Sequence, residues 1–345
     1  MNLIRTPAGL AVVLLLAATA YSQNSDTIEP MQGRDIRCLI KGTTPLGIQY
    51  EINGQPQQIS IVDIKAVKFS GEPAEFARAR NRLQGGQFDD ALTELQKVNP
   101  ATLTEFQKTE FAYLNAVADV KKSLRDGTLP LRDAAKSVNQ FLQTYPNSFH
   151  FFEMTDLFGW LAFHSGEFAA AEKAFQPLTN STVPPFILAG HLGLARTALE
   201  QAKWDEAQTQ LAAIAAQDAN DNQSQEIKLI AKCLSARVLA EQKQIPQAIA
   251  LLEDIIKSES DDRTRVFANV YNSLGLVHMQ AGDAKSALLA FLHTDQLYAN
   301  EADPHAEALY YLTGLWTQLN QTDRANRAKQ TLGQQYRNSL WASKK

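Results

Sequence analysis

The chain has 345 residues, 45% of them hydrophobic and 20% charged, the proportions of a folded protein rather than a disordered one. Its 33 lysines and arginines against 37 acidic residues leave a net charge of −4, scattered without a basic stripe, which argues against DNA or RNA as a partner. Alanine, leucine and glutamine are plentiful while glycine (17) and proline (13) are modest, a composition that favours helix.

The first twenty residues, MNLIRTPAGLAVVLLLAATA, place Arg5 before an apolar run from Ala8 to Ala18 and end on small residues at Ala18 and Ala20. This is the layout of a secretory leader, with an apolar core short for a bilayer span. Residues 1–20 are therefore predicted to be a signal peptide cleaved before Tyr21, with export to the periplasm or cell envelope. Residues 21–33 read as a disordered linker. No later apolar run reaches spanning length, so no integral membrane segment is expected in the mature chain. Cys38 and Cys233 are too few and too far apart for a disulfide framework and are expected to be buried, inert thiols.

Residues 34–70 carry alternating apolar positions: Ile36, Cys38 and Ile40, then Ile48, Tyr50 and Ile52, then Ile59 and Ile61, then Ile64, Val67 and Phe69. Turn residues at Gly42, Pro45, Asn53-Gly54 and Pro56 separate them, which predicts four short antiparallel strands. So small a β module cannot bury much of a core alone and is expected to lean on the helices after it.

From Glu72 onward the periodicity is helical. The stretch YNSLGLVHMQAGDAKSALLAF, residues 271–291, sets Leu274-Gly275, Gly282, Ala287 and Phe291 at spacings repeated by Phe158-Gly159, Gly166, Ala171 and Phe175. Fainter copies keep an alanine and an apolar residue four later, at Ala91/Leu95, Ala134/Val138, Ala207/Leu211 and Ala248/Leu252, and a degraded one centres on Ala325. The alanines are 43, 37, 36, 41, 39 and 38 residues apart. Each repeat is a helix pair with an apolar face that only stacking can cover; the glycines would let helices approach, and Phe175 and Phe291 would fill the space between pairs. Pro100, Pro146, Pro177 and Pro304 are read as marking repeat ends.

This pattern resembles the tetratricopeptide repeat over residues 72–340, with residues 341–345 as a C-terminal tail. The resemblance implies a mainly α fold: an α-solenoid of about seven helix pairs behind a small antiparallel β module. The segment QTYPNS, 143–148, is similar to exported bacterial members of the family, and the N-terminal strands loosely resemble β modules placed before such arrays.

Candidate chemistry is sparse. The six histidines show no HExxH spacing, no GxSxG or SxxK is present, and Gly85-Gly86 lacks the lysine of a phosphate loop. His278 occupies a packing position, and Glu301, Asp303 and His305 read as a solvated helix start rather than a cation site. No catalytic, cofactor or metal site is assigned, and the chain is read as non-enzymatic. The resemblance implies instead a protein or peptide partner on the concave face lined by the first helix of each pair. Carried over by position, its lining would include Asp156, Trp160, Phe163, Leu192, Arg196, Cys233, Arg237, Asn269, Asn272, Leu276 and Tyr310. Arg196 and Arg237 would offer guanidinium forks to a carboxylate, Asn269 and Asn272 would bond a peptide backbone, and Trp160 and Phe163 would form an aromatic anchor. The alternatives are an enzyme or enzyme subunit acting on envelope polymers, its site at the junction of β module and first repeat, and self-association through an edge strand or an apolar array end near Trp341.

Overall fold

The structure, a computed structural model, describes residues 25–218 and 221–344. The predicted leader lies outside the described residues. Five antiparallel strands come first: β1 (Asp26–Pro30), β2 (Ile36–Thr44), β3 (Gly47–Ile52), β4 (Gln55–Ser60) and β5 (Ile64–Lys68), in the order β4-β3-β2-β1-β5. Asn53 and Gly54, both at positive φ, make the hairpin turn that pairs Ile52 with Gln55.

The first strand corrects the sequence reading, which placed residues 26–30 in the linker. DTIEP has too few β-branched residues to announce a strand, yet Ile28 is fully buried, opposite Ile36 on one side and Val67 on the other. Asp26 fastens it, accepting hydrogen bonds from the backbone N–H groups of Ile40 and Ser70, each at 2.8 Å. As expected, the sheet leans on the helices: Phe149 joins its core, and Phe106 stacks on Phe69 at 6.0 Å.

Fourteen helices follow among the described residues, in seven antiparallel pairs: α1 (Ala74–Gln84) with α2 (Phe88–Gln96), α3 (Glu105–Lys121) with α4 (Leu131–Thr144), α5 (Phe151–His164) with α6 (Phe168–Thr179), α7 (Pro184–Glu200) with α8 (Trp204–Ala216), α9 (Asn222–Glu241) with α10 (Ile245–Ser258), α11 (Thr264–Gln280) with α12 (Ala284–Leu297), and α13 (Ala302–Gln318) with α14 (Thr322–Gln335). A final helical turn, α15, spans Leu340–Ser343. Every repeat alanine, from Ala91 to Ala325, lies on the second helix of its pair and is buried. Pro304 departs from its assigned role, sitting in the first turn of α13, where proline fits a helix start.

The glycines of the two clear repeats do what the pattern implies. A Cβ on Gly159 would stand 2.4 Å from the Phe175 ring, and one on Gly275 2.6 Å from Phe291. Phe175 also leaves only 2.5 Å for a Cβ at Gly193, so one ring locks α5, α6 and α7 together. Truncating either fully buried ring would cost about 3–5 kcal/mol.

First helices of successive pairs pack on one another, α5 on α7, α7 on α9, α9 on α11 and α11 on α13, forming the inner layer of a curved array. Within the second pair, α3 runs on through a π-helical turn, Lys122–Asp126, ended by Gly127 at a φ of 62°. Such a turn leaves carbonyls without intrahelical partners. Cys38 and Cys233 are both buried and unbridged, and burial pushes their thiols up to about 11 and about 12, far from reactive thiolates. Among the described residues, no helix is long and apolar enough to cross a membrane.

Candidate functional site

The inner layer of the last four pairs is closed by its own charges. Arg196 on α7 reaches past two helices to pair with Asp303 on α13, donates to Asn269 Oδ1 at 2.6 Å, and lies 5.6 Å from the centre of the Trp160 ring. Arg237, one repeat later, donates to both carboxylate oxygens of Glu307 at 2.6 and 3.0 Å and to Ser273 Oγ at 2.8 Å. The two acceptors stand one turn apart on α13, so arginines from successive repeats meet carboxylates of matching spacing. The expected guanidinium forks exist, but they are spent on the chain itself.

Other proposed lining residues share that fate. Asn269 and Asn272 are fully buried; Asn272 Nδ2 donates to Pro304 O at 2.7 Å and Glu307 Oε2 at 2.9 Å, and Asn269 Nδ2 to Arg265 O. Neither is free to bond a peptide. Phe163 is buried among Phe168, Leu178 and Leu340, and Cys233 is in the core, so neither lines an open groove. Asp156 and Trp160 remain partly exposed beside a hollow of about 240 Å³ that Leu192 and Arg265 also line. Asp156 Oδ1 is buried without a hydrogen-bond partner among the described residues, and burial, only partly offset by Arg265 and the Trp160 N–H, pushes its carboxyl up to about 7.

Asp303 and His305 also differ from their expected solvated helix start, whereas Glu301, at the N-cap of α13, makes an exposed contact with Thr264. Burial alone would raise Asp303, but Arg196, His164 and the Trp341 indole hold it below the usual carboxylate range. His305 is buried, hydrogen-bonded to Tyr336 Oη at 2.7 Å and Asp295 Oδ1 at 2.9 Å. Sequence reasoning saw the helix start and missed what faces it.

What faces it is the C-terminal segment. After α14 the chain turns back across the ends of the inner helices. Asn338 Nδ2 donates to Leu129 O at 2.6 Å and Ser123 O at 3.0 Å, covering carbonyls around the π turn. Leu340 N points at His164 Nδ1 at 3.4 Å, while the Leu340 side chain enters the core around Phe163 and Phe175. Trp341 donates from Nε1 to Asp303 Oδ1 at 3.3 Å and lies 5.9 Å from both Tyr310 and Tyr311. Lys344 completes the seat, 2.5 Å from Glu200 Oε2 and 3.9 Å over the Trp341 ring. Trp341, expected near an apolar array end, is thus 5% accessible, buried against the last helix pair. Of the proposed groove residues, this segment touches Tyr310, through Trp341 and Lys344, and Phe163, through Leu340.

The first pairs keep an open interior. A cavity of about 700 Å³ lies between β5, α1, α3, α5 and the C-terminal segment. One wall carries a charged chain that the sequence reading did not single out. Arg80 pairs with Glu72 at 2.6 Å and Glu110 at 2.8 Å; His150 Nε2 meets Glu110 at 3.1 Å and stacks on Tyr113 at 3.4 Å; and Tyr113 Oη donates to Glu153 at 3.0 Å. Burial alone would favour neutral His150, yet its bonds to Glu110 and Glu153 raise its pKa, and the same pairing lowers that of Glu110. Glu153, its side chain 44% exposed, is the member turned to solvent. A second hollow of about 510 Å³ lies beyond Trp341, against α13 and α14. The described residues hold no cluster of three or more His, Cys, Asp or Glu fit for a metal ion.

No family model and no curated protein matches the sequence. Solved structures do resemble the fold. A tetratricopeptide repeat protein from Parabacteroides merdae ATCC 43184 superposes with a TM-score of 0.53 at 10% identity, over 76% of this chain and 91% of that one. A Rap protein complexed with competence and sporulation factor gives 0.48 at 12% identity, over 78% and 76%. The apo quorum sensor NprR from B. thuringiensis gives 0.45 at 12% identity, over 75% and 85%. The chain has a tetratricopeptide-repeat-like fold, mainly α, with a small antiparallel sheet at its N-terminal end.

Proposed function

We propose that this chain is a non-catalytic, exported scaffold that holds a segment of a partner protein on the inner face of its helical array. The observation that supports it best is the seat of residues 338–344. Side chains and carbonyls from α5, α7, α13 and the α3–α4 connection hold that short segment by a buried aromatic, backbone-directed hydrogen bonds and an ion pair. These are the terms by which peptides are recognised, and the cavity of about 700 Å³ extends the same face toward the sheet. Export rests on the leader-like first twenty residues. The charged chain beside the cavity reads as structural, because Glu110 and His150 stabilise each other's charged forms.

Selection of an unbiased peptide library on the full-length mature chain, followed by hydrogen-exchange mapping, tests the reading. Protection on the inner helices α3, α5 and α13 is the expected result. Peptides that map only to the outer helices, or a library that yields no binder, would remove it. The enzyme reading keeps one observation, the cavity at the sheet–helix junction, and requires turnover of an envelope polymer that Glu153→Gln abolishes.

A further inference from the structure

We propose that the partner segment is basic, with a large aromatic residue three places before a lysine or arginine, and that the chain's own segment 336–344 is its built-in competitor. The inference rests on the segment-binding reading above and adds the occupant's chemistry and the control of access.

Residues 336–345, YRNSLWASKK, contain one arginine, two lysines and no acidic residue. Their seat meets a basic residue with an acid at one point, where Glu200 receives Lys344, while Asp303, already paired with Arg196, accepts from the Trp341 indole. Tyr310 and Tyr311 both flank the ring, and Tyr310 also faces the ammonium, of that Trp–x–x–Lys spacing. Helical geometry brings residues three apart onto one side, and α15 with Lys344 as its C-cap sets Trp341 and Lys344 so here. The seat therefore reads a pattern, and a foreign segment with that pattern would meet the same groups.

The segment also controls space. Tyr336 and Ser339 wall the cavity of about 700 Å³, while Trp341, Ala342 and Lys344 wall the hollow of about 510 Å³. One peptide-sized element thus borders both voids. Its hold has two parts: Asn338 and Leu340 anchor the first and Trp341 and Lys344 the second, with Ser343, between the last two, exposed. A tethered segment acts at an effective concentration on the order of 1 mM, so even a weak self-contact near 100 µM would reduce an outside peptide's apparent affinity about tenfold.

A dye-labelled synthetic YRNSLWASKK peptide, titrated by fluorescence anisotropy, tests this on the full mature chain. The protein carrying Leu340→Glu and Trp341→Glu, its helicity checked by circular dichroism, is expected to bind the probe at least about tenfold more tightly than wild type. A probe with its Trp replaced by Ala, or both lysines by Glu, should not bind, and Glu200→Lys in the released protein should abolish binding. Equal binding to wild-type and released proteins would leave segment binding standing and overturn the competitor. No binding to a helical released protein, or indifference to the probe's Trp, would overturn the proposed partner chemistry, while library peptides of other composition on the inner face would still support the broader function. Should the double variant fail to fold, a spin label on Ser343→Cys in the otherwise wild-type chain serves, since Cys38 and Cys233 are buried. Saturating probe should sharpen its spectrum, and an unchanged spectrum would count against displacement. Light scattering closes the test: a wild-type dimer that dissociates on adding probe would make the occupant a second copy's tail and sink the foreign-partner form of the proposal.

Discussion

The two halves of the inner face use the same residue types to opposite ends. In the C-terminal half, Arg196 and Arg237 find carboxylates one turn apart on α13, and the helices are tied across two repeats. In the N-terminal half, Arg80 is equally well paired, but its chain of contacts ends at Glu153, which faces a cavity. An inward-facing arginine is therefore not evidence of an open groove. What stands opposite decides, and in a curved array the opposite wall is another part of the same chain.

The largest expected effect tests the closed half. Glu307 is 3% accessible, and Glu307→Ala would strand the Arg237 guanidinium with Ser273 as its remaining side-chain partner and remove one acceptor from Asn272. Stranding a buried charge costs about 3–5 kcal/mol, so the urea midpoint should fall sharply. A loss under about 1 kcal/mol would mean that water reaches Arg237 and that this half is open as well.

Asp156 lies between the halves and belongs to neither network. Its carboxyl is raised from 3.8 to about 7, so the folded state holds a proton that the unfolded state releases. Stability from this group is thus fully present below about pH 4 and is lost as pH rises toward 7. Asp156→Asn should raise the melting temperature at pH 8 by the equivalent of about 1–2 kcal/mol, with the gain vanishing near pH 4. An equal gain at both pH values would show that the carboxyl ionises normally.

Much of the architecture was legible because stacking imposes repetition. The alanines, Gly159 and Gly275 recur since each helix pair solves the same packing problem. Legibility fades where tertiary structure substitutes for a signal. The inter-helix turn takes glycine at positive φ in Gly86, Gly166 and Gly282, but Ala202 and Lys243 adopt the same conformation in the fourth and fifth pairs, which is one reason those copies look faint. Ala202 is exposed at a φ of 55°, so Ala202→Gly should stabilise by about 0.5–1 kcal/mol, readable as a small rise in urea midpoint; no gain would mean the turn is unstrained. Strand β1 and the site were hidden for a related reason. Ile28 gains its role from β2 and β5, and Arg196 meets Asp303 107 positions away, a pairing that no local pattern encodes. The C-terminal segment was invisible as an occupant because the end of a last repeat and residues 341–345 look like a tail until their partners, up to 215 positions upstream, are in place.

The smallest effect is expected in the open half, and it bears most directly on the contrast. Glu153 accepts from Tyr113 Oη and lies 3.6 Å from His150 Nδ1, yet nearly half its side chain is in solvent. Glu153→Gln keeps an acceptor for Tyr113 and removes only a screened charge, so stability should change by less than about 0.5 kcal/mol. The histidine should report it instead. His150 owes its raised pKa to Glu110 and Glu153 acting against burial, so losing one carboxylate lowers it. Because a raised histidine contributes stability that is whole below its unfolded pKa and is lost as pH climbs through the folded value, the variant should give up that stability at a lower pH than wild type. NMR titration of the His150 ring against Glu153→Gln separates the outcomes. A lowered midpoint with unchanged urea stability keeps the N-terminal half open and solvated; a stability loss matching that of Glu307→Ala would make the two halves alike.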